Sequence, residues 1–256
     1  MSQEIQSRRE GAVLHITLNR PEKYNALSVA LLDALIAALD EAERDPDIRA
    51  TVISGTARAF SAGADLGALA EVSAVALYVS GFSEKWDRLA AMEKPLVAAL
   101  SGYALGGGLE LALLCDIAIA DDTVALGLPE THIGIVPGAG GTQRLVKAVG
   151  KSLAMEMLLT GRRLSAQEAL AAGLVSQITS RDQLLPVCLG VAEKIARAAP
   201  LAALMVKQAV LASFDMPLSA GIRYERSLSA LIASSEDRRI GMQALAAKSK
   251  PVFKGC

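Results

Sequence analysis

Residues 95–121, PLVAALSGYALGGGLELALLCDIAIAD, decide the fold. Pro95–Leu100 is an apolar run of strand length, three glycines at 106–108 mark a turn, a helix continues through Glu110, and 116–121 reads as another strand. Buried strands alternating with helices build a covered parallel sheet, which is an α/β arrangement. Working outward, residues 12–18 (AVLHITL) and 50–54 (ATVIS) have the same strand character. His15 lies inside the first and reads as a sheet histidine. Ser28 opens an amphipathic helix, with Leu31, Leu32, Leu35, Ile36 and Leu39 at helical spacing. The segment 55–67 (GTARAFSAGADLG) reads as a loop and 69–92 as helical. Beyond Gly138 helix signals dominate at 140–149, 152–160 and 165–172, the last with a capping box from Ser165 to Glu168. A short strand at 174–178 precedes a nearly all-helical stretch, 182–249, punctuated by Pro200 and Pro217. Residues 1–195 form the expected core and 196–256 a helical appendage.

The chain of 256 residues is 52% hydrophobic but only 4% aromatic, so its core must be built mainly from Ala, Leu, Val and Ile. A net charge of −1 offers no footprint for nucleic acid or an anionic membrane. The first residues lack the apolar stretch of a signal peptide, and no uncharged run has the sustained hydrophobicity of a membrane span. Cys115, Cys188 and Cys256 are odd in number and far apart, which favours a reducing compartment and the cytoplasm. With His15 and His132 as the two histidines, and no CxxC or HExxH, no metal site is expected.

Two isolated glutamates carry the chemistry. Glu110 is the one charged residue between Pro95 and Cys115, and Glu130 the one between Thr123 and Gln143 with His132 neutral. Burying a carboxylate costs several kcal/mol or forces protonation. A single such glutamate is as well explained by a helix cap or a distant arginine. Two, each beside a glycine cluster, point to acid/base work in a dry pocket. The glycine clusters are not nucleotide loops. Position 145 is Leu where a P-loop ending in Gly150-Lys151-Ser152 needs Gly, and neither G-x-G-x-x-G after a strand nor G-x-S-x-G occurs. What remains are two strand-to-helix turns, 61–65 (SAGAD) and 105–108 (LGGG), whose unpaired N–H groups could hold an oxyanion or simply allow tight packing.

The motifs GYALGGGLELALLCD and LPETHIGIVPGAGGTQRL resemble the signature of the crotonase (enoyl-CoA hydratase/isomerase) superfamily. LNRPEKYNALS, AFSAGADL, TGRRLSAQEALAAGLV and SEDRRIGMQA extend the resemblance over nearly the whole chain, closest to short-chain enoyl-CoA hydratases. The resemblance implies a spiral of ββα units with a C-terminal helical region that builds homotrimers, often paired into hexamers. It implies that Ala64 and Gly107 supply the N–H groups holding the thioester oxygen, and that Glu110 and Glu130 are the catalytic glutamates. The isomerase branch typically keeps only the second, so the pair selects a lyase that adds water to a trans-2-enoyl-CoA. By the same resemblance Lys23, Ala26 and Leu27 line the CoA channel, and Ala62, Ala64, Asp65 and Leu66 hold adenine and pantetheine through backbone groups. Phe253 and Lys254 match a contact to a neighbouring subunit's CoA. Leu69, Val72, Tyr78, Phe82 and Trp86 fall in the family's variable acyl-binding region, with Trp86 at a position shared with short-chain enzymes. No separate cofactor is implied, since coenzyme A arrives with the substrate. Gly67 departs from the lysine many hydratases carry there, which bears on how the adenine phosphate is held.

The nearest rival is another crotonase-type reaction, either double-bond isomerisation or dehydration of a specialised hydroxyacyl-CoA. RNA binding through a lysine-rich helix is a rival of another class, but helix 28–44 contains no lysine. Fatty-acid β-oxidation, amino-acid and aromatic degradation all use hydration of this kind, so the pathway is not readable.

Overall fold

The structure, a computed structural model, describes residues 4–65, 67 and 73–256, with the backbone alone at 74, 77 and 78. Two sheets organise the core. The larger has strand order β1 (Ile5–Glu10), β2 (Val13–Leu18), β3 (Ala50–Ser54), β5 (Leu96–Leu100), β7 (Ile117–Asp121) and β10 (Gln177–Thr179). β1 and β2 form an antiparallel hairpin turning at Gly11, and from β2 onward every pairing is parallel. The smaller sheet contains β4 (Ala59–Ser61), β6 (Tyr103–Leu105), β8 (Ala125–Gly127) and β9 (Leu164–Ser165). The chain visits the two sheets in turn, β3 then β4, β5 then β6, β7 then β8. Each pair leads towards a helix or helical turn, and this repetition is the ββα spiral.

The strands at 12–18, 50–54, 95–100 and 116–121 occur as expected within a residue at each end. The short one at 174–178 begins later, at Gln177. Helix α1 (Val29–Arg44) is capped by Ser28, whose hydroxyl accepts from Leu31 N–H at 3.1 Å. It buries Leu31, Leu32, Leu35 and Leu39, each contributing about 2 kcal/mol by removal from water. Helices α2 (Ala74–Val79) and α3 (Phe82–Ala90) follow, and α3 buries Trp86 and Leu89. α4 (Gly107–Leu114) carries Glu110, and a 3-10 turn, Glu130–Ile133, carries Glu130. Then come α5 (Gly141–Val149), α6 (Lys151–Thr160) and α7 (Ala166–Ala171), the last with the capping box between Ser165 and Glu168 in place.

Helix α8 (Leu184–Ala196) buries Leu184, Cys188, Ala192 and Ala196 against Val13, Val52, Val97 and Ile119 of the large sheet. Helices α9 (Pro200–Ala212), α10 (Leu218–Ile232) and α11 (Glu236–Ala246) behave differently. Neither α9 nor α10 has a buried residue, and Val206, Val210, Phe214, Leu218 and Leu231 stand exposed. α9 is tied to the core by Lys207, which meets Asp116 at 2.9 Å and the Lys94 carbonyl at 3.1 Å. Among the described residues, no single helix is long and apolar enough to cross a membrane.

His15 is buried in β2, with Nε2 2.8 Å from Ser54 Oγ and 3.2 Å from Thr17 Oγ1. Burial holds its basicity below that of a free imidazole.

Candidate active site

The site grows from the turn between β6 and α4. Gly106 has φ 52° and ψ −129°, a conformation open to glycine alone. The turn therefore points the first helical N–H, that of Gly107, out of the helix and leaves it without an intrahelical acceptor. Gly108 is held to glycine for another reason: a Cβ there would overlap the carbonyl of Ser61, so α4 lies directly on β4. This contact brings the other small-residue turn alongside. A Cβ placed on Gly107 would sit 3.6 Å from Ala64 N, and one placed on Gly63 would sit 3.4 Å from Gly107 N.

Ala64 forms a parallel bridge with Leu27. Leu27 N–H donates to the Gly63 carbonyl at 2.7 Å and Asp65 N–H to the Leu27 carbonyl at 3.1 Å. In that pattern the N–H of the bridging residue itself points to the opposite side. Among the described residues, neither Ala64 N–H nor Gly107 N–H donates to a backbone carbonyl. Two neighbouring free donors at a helix N-terminus can stabilise a developing oxyanion.

Glu110 is 4% exposed. Its Oε1 accepts from Ala139 N–H and from Gly141 N–H, both at 2.8 Å. Gly141 permits that approach, because a Cβ there would lie 3.0 Å from the same oxygen. Burial pushes the carboxyl up, while the two N–H groups and the charge of Arg144 oppose the rise. Glu130 is also buried, and its Oε1 lies 3.1 Å from where a Gly106 Cβ would sit. Its Oε2 has no hydrogen-bond partner among the described residues. Burial raises this carboxyl to about 7, and the Glu110 charge adds to the rise against a backbone hydrogen bond. The two buried carboxyls are thus set unequally: two N–H donors and a nearby cation oppose the rise at Glu110, whereas one oxygen of Glu130 has no partner among the described residues.

Trp86 packs on this turn, with Cζ2 3.7 Å from the position a Gly107 Cβ would take, beside Leu27 Cδ1 at 3.4 Å. Its ring meets Phe82 edge-on at 6.4 Å. Ala62 N–H donates to the Tyr24 carbonyl at 2.9 Å, and the Ala26 carbonyl accepts from Arg20 Nη1 at 2.6 Å, so both are built into the turn that carries Leu27. The Asp65 carboxylate meets Arg20 at 3.0 Å and exposed Lys23 at 3.3 Å. The Arg20 hydrogen bond foremost keeps this carboxyl below its usual range. Leu66, Leu69 and Val72 lie outside the described residues, as does the side chain of Tyr78.

Phe253 and Lys254 are bound elsewhere. The Phe253 carbonyl accepts from Arg49 at 2.8 Å, Lys254 N–H donates to Asp237 at 2.6 Å, and Lys254 Nζ meets Glu236 at 2.7 Å. Within one chain they clip the tail to α11 rather than joining the glutamates. Sequence reasoning missed Ala139, Gly141 and Arg144, the groups around Glu110. The available signal was Arg144 itself, the first charge after Glu130 along the chain. No cluster of metal-ligating side chains occurs among the described residues.

The enoyl-CoA hydratase/isomerase family profile matches residues 8–256. A 2,3-dehydroadipyl-CoA hydratase of Escherichia coli K12 is 49% identical, with all of both chains covered. The mitochondrial enoyl-CoA hydratase of Pongo abelii is 46% identical over 93% of this chain and 82% of its own length. The structure of an enoyl-CoA hydratase subunit from Geobacillus kaustophilus HTA426 superposes with a TM-score of 0.96 at 41% identity, over the full length of both chains. The chain belongs to the enoyl-CoA hydratase/isomerase family, the crotonase superfamily.

Proposed function

We infer that the chain is an enoyl-CoA hydratase in which Glu110 is the base and Glu130 the acid. The observation that carries this assignment is the unequal setting of the two buried carboxylates beside the free N–H groups of Ala64 and Gly107. The thioester oxygen of a trans-2-enoyl-CoA sits between those two N–H groups, which makes the β-carbon electrophilic. Glu110 is anchored through Oε1, so Oε2 takes a proton from water as the oxygen of that water bonds to the β-carbon. Electrons move onto the thioester oxygen, and Glu130 delivers its proton to the α-carbon as the enolate collapses. The product is the 3-hydroxyacyl-CoA, and the proton gained by Glu110 returns to Glu130 through solvent.

The reaction needs no cofactor beyond the coenzyme A that the substrate brings. Lys23, Ala26, Leu27, Ala62, Asp65 and Leu66 line its channel in this proposal, and Trp86 closes the acyl end. Phe253 and Lys254 reach a neighbouring subunit's CoA. The exposed apolar residues of α9 and α10 support a homotrimer or a dimer of trimers. The free thiols Cys115, Cys188 and Cys256 support a cytoplasmic setting. The 49% identity to a 2,3-dehydroadipyl-CoA hydratase makes a dicarboxylic enoyl thioester the second acyl group to try, after crotonyl-CoA.

The test is incubation with crotonyl-CoA, following loss of the enoyl-thioester absorbance and the product mass. Gain of one water, lost in Glu110→Gln, is the expected result. A product of unchanged mass with a moved double bond would replace hydration by isomerisation.

A further inference from the structure

Resting on the hydratase reading, one group beside the site has no part in the steps above. Arg144, in the second turn of α5, folds back over the turn that feeds its own helix. Its Nη1 donates to the Ala139 carbonyl at 2.9 Å, and its backbone N–H donates to the Gly140 carbonyl at 2.8 Å. Gly140 has φ +97°, and a Cβ there would overlap the guanidinium, so the glycine makes room for the arginine. The turn it clamps is the one whose Ala139 and Gly141 N–H groups hold Glu110 Oε1. Arg144 is half-buried, and among the described residues no carboxylate forms an ion pair with it. The negative charges facing it at longer range are Glu110 from α4 and Asp87 from α3. Glu110 in turn faces Arg144 from α5 and Glu130 from the 3-10 turn.

We propose that Arg144 is a positioning residue for the base: it clamps the 139–141 turn that grips Glu110 and keeps the proton of the pair on Glu130. An ordinary structural arginine here would hold the turn but leave the division of the proton unchanged. A guanidinium suits both tasks, because its fork reaches a carbonyl while its charge stays on at every working pH.

The experiment compares the full chain with Arg144→Met and Arg144→Lys in crotonyl-CoA hydration, from about pH 5 to about pH 9. Alongside it, an infrared titration of the Glu110 carboxyl, taken as the difference from the same protein carrying Glu110→Gln, needs no turnover. Loss of the cation disfavours the Glu110 anion, so Arg144→Met raises the acid limb of kcat/KM and the infrared midpoint by about one pH unit. kcat falls about tenfold at neutral pH with KM little changed, as expected for a misplaced base. Arg144→Lys returns the limb towards its wild-type position. A folded Met variant with limb and midpoint unmoved overturns the proposal, whatever its rate. If the Met variant does not fold, the Lys variant decides: a lowered kcat with the limb in place supports the clamp, and an unchanged kcat overturns it. A wild-type chain that hydrates nothing would sink the functional reading instead, and the infrared midpoint would still test Arg144.

Discussion

The turns around Glu110 and Glu130 bury the same side chain in opposite ways. At the first, residues 139–141 aim two N–H groups at a single carboxylate oxygen, and Arg144 stands behind them. At the second, a 3-10 turn buries Glu130 with one oxygen unpartnered among the described residues. Two chemically identical groups are thereby held in different settings within one site: the donors around each carboxyl set them apart, and the spacing in sequence does not. The Glu110 charge adds to the rise at Glu130, behind burial.

The largest effect is expected from removing either carboxylate. Glu110→Gln and Glu130→Gln should each slow hydration by on the order of 100- to 10,000-fold, read from initial rates with crotonyl-CoA. Equal binding of a CoA thioester by both variants would show that the loss is chemical. Next comes the grip on Glu110. In Gly141→Ala the new Cβ meets Glu110 Oε1, Leu128 and Pro137, each at 3.0 Å, so the carboxylate must shift. A drop of about tenfold in kcat is expected for a displacement of a few tenths of an ångström, and near-normal kcat would show that the two N–H bonds are dispensable.

How much of this was legible follows from the same contrast. Both glutamates stood out because each is a lone charge in an apolar stretch. The donors around Glu110 did not, since the direction of a backbone N–H is written in no side chain. The second sheet was equally hidden: β4 (AFS), β6 (YAL) and β8 (ALG) are three residues each, too short to show a period of two. Strand β1 (IQSRRE) is mostly exposed and polar, and its pairing with β2 is what defines it. By contrast α1 and α7 carried their boundaries in Ser28 and in the Ser165–Glu168 box. The apolar faces of α9 and α10 are visible in the letters, but their exposure is not.

Stability separates the turns more finely. The Glu130 carboxyl is raised in the folded state, from 4.5 to about 7, so its contribution is present at low pH and is lost as pH rises through that window. Glu130→Gln never ionises. It should therefore gain on the order of 3 kcal/mol over wild type above about pH 8 and nothing below about pH 4.5, by denaturant unfolding. An equal gain at both ends would mean that its ionisation costs nothing. The smallest effect is in the rate profile of the free enzyme: kcat/KM should fall as pH rises through about 7, where Glu130 loses its proton. The limb in kcat should lie higher, because a bound acyl chain excludes more water from the carboxyl.

The division of labour is tested most directly by α-proton exchange of butyryl-CoA in deuterated water, measured in both Gln variants beside hydration. Exchange needs the α-carbon acid/base and the oxyanion donors but no attacking water. Glu110→Gln should keep exchange while losing hydration, and Glu130→Gln should lose both. Equal loss of both reactions in the two variants, or exchange lost with Glu110 alone, would contradict that division.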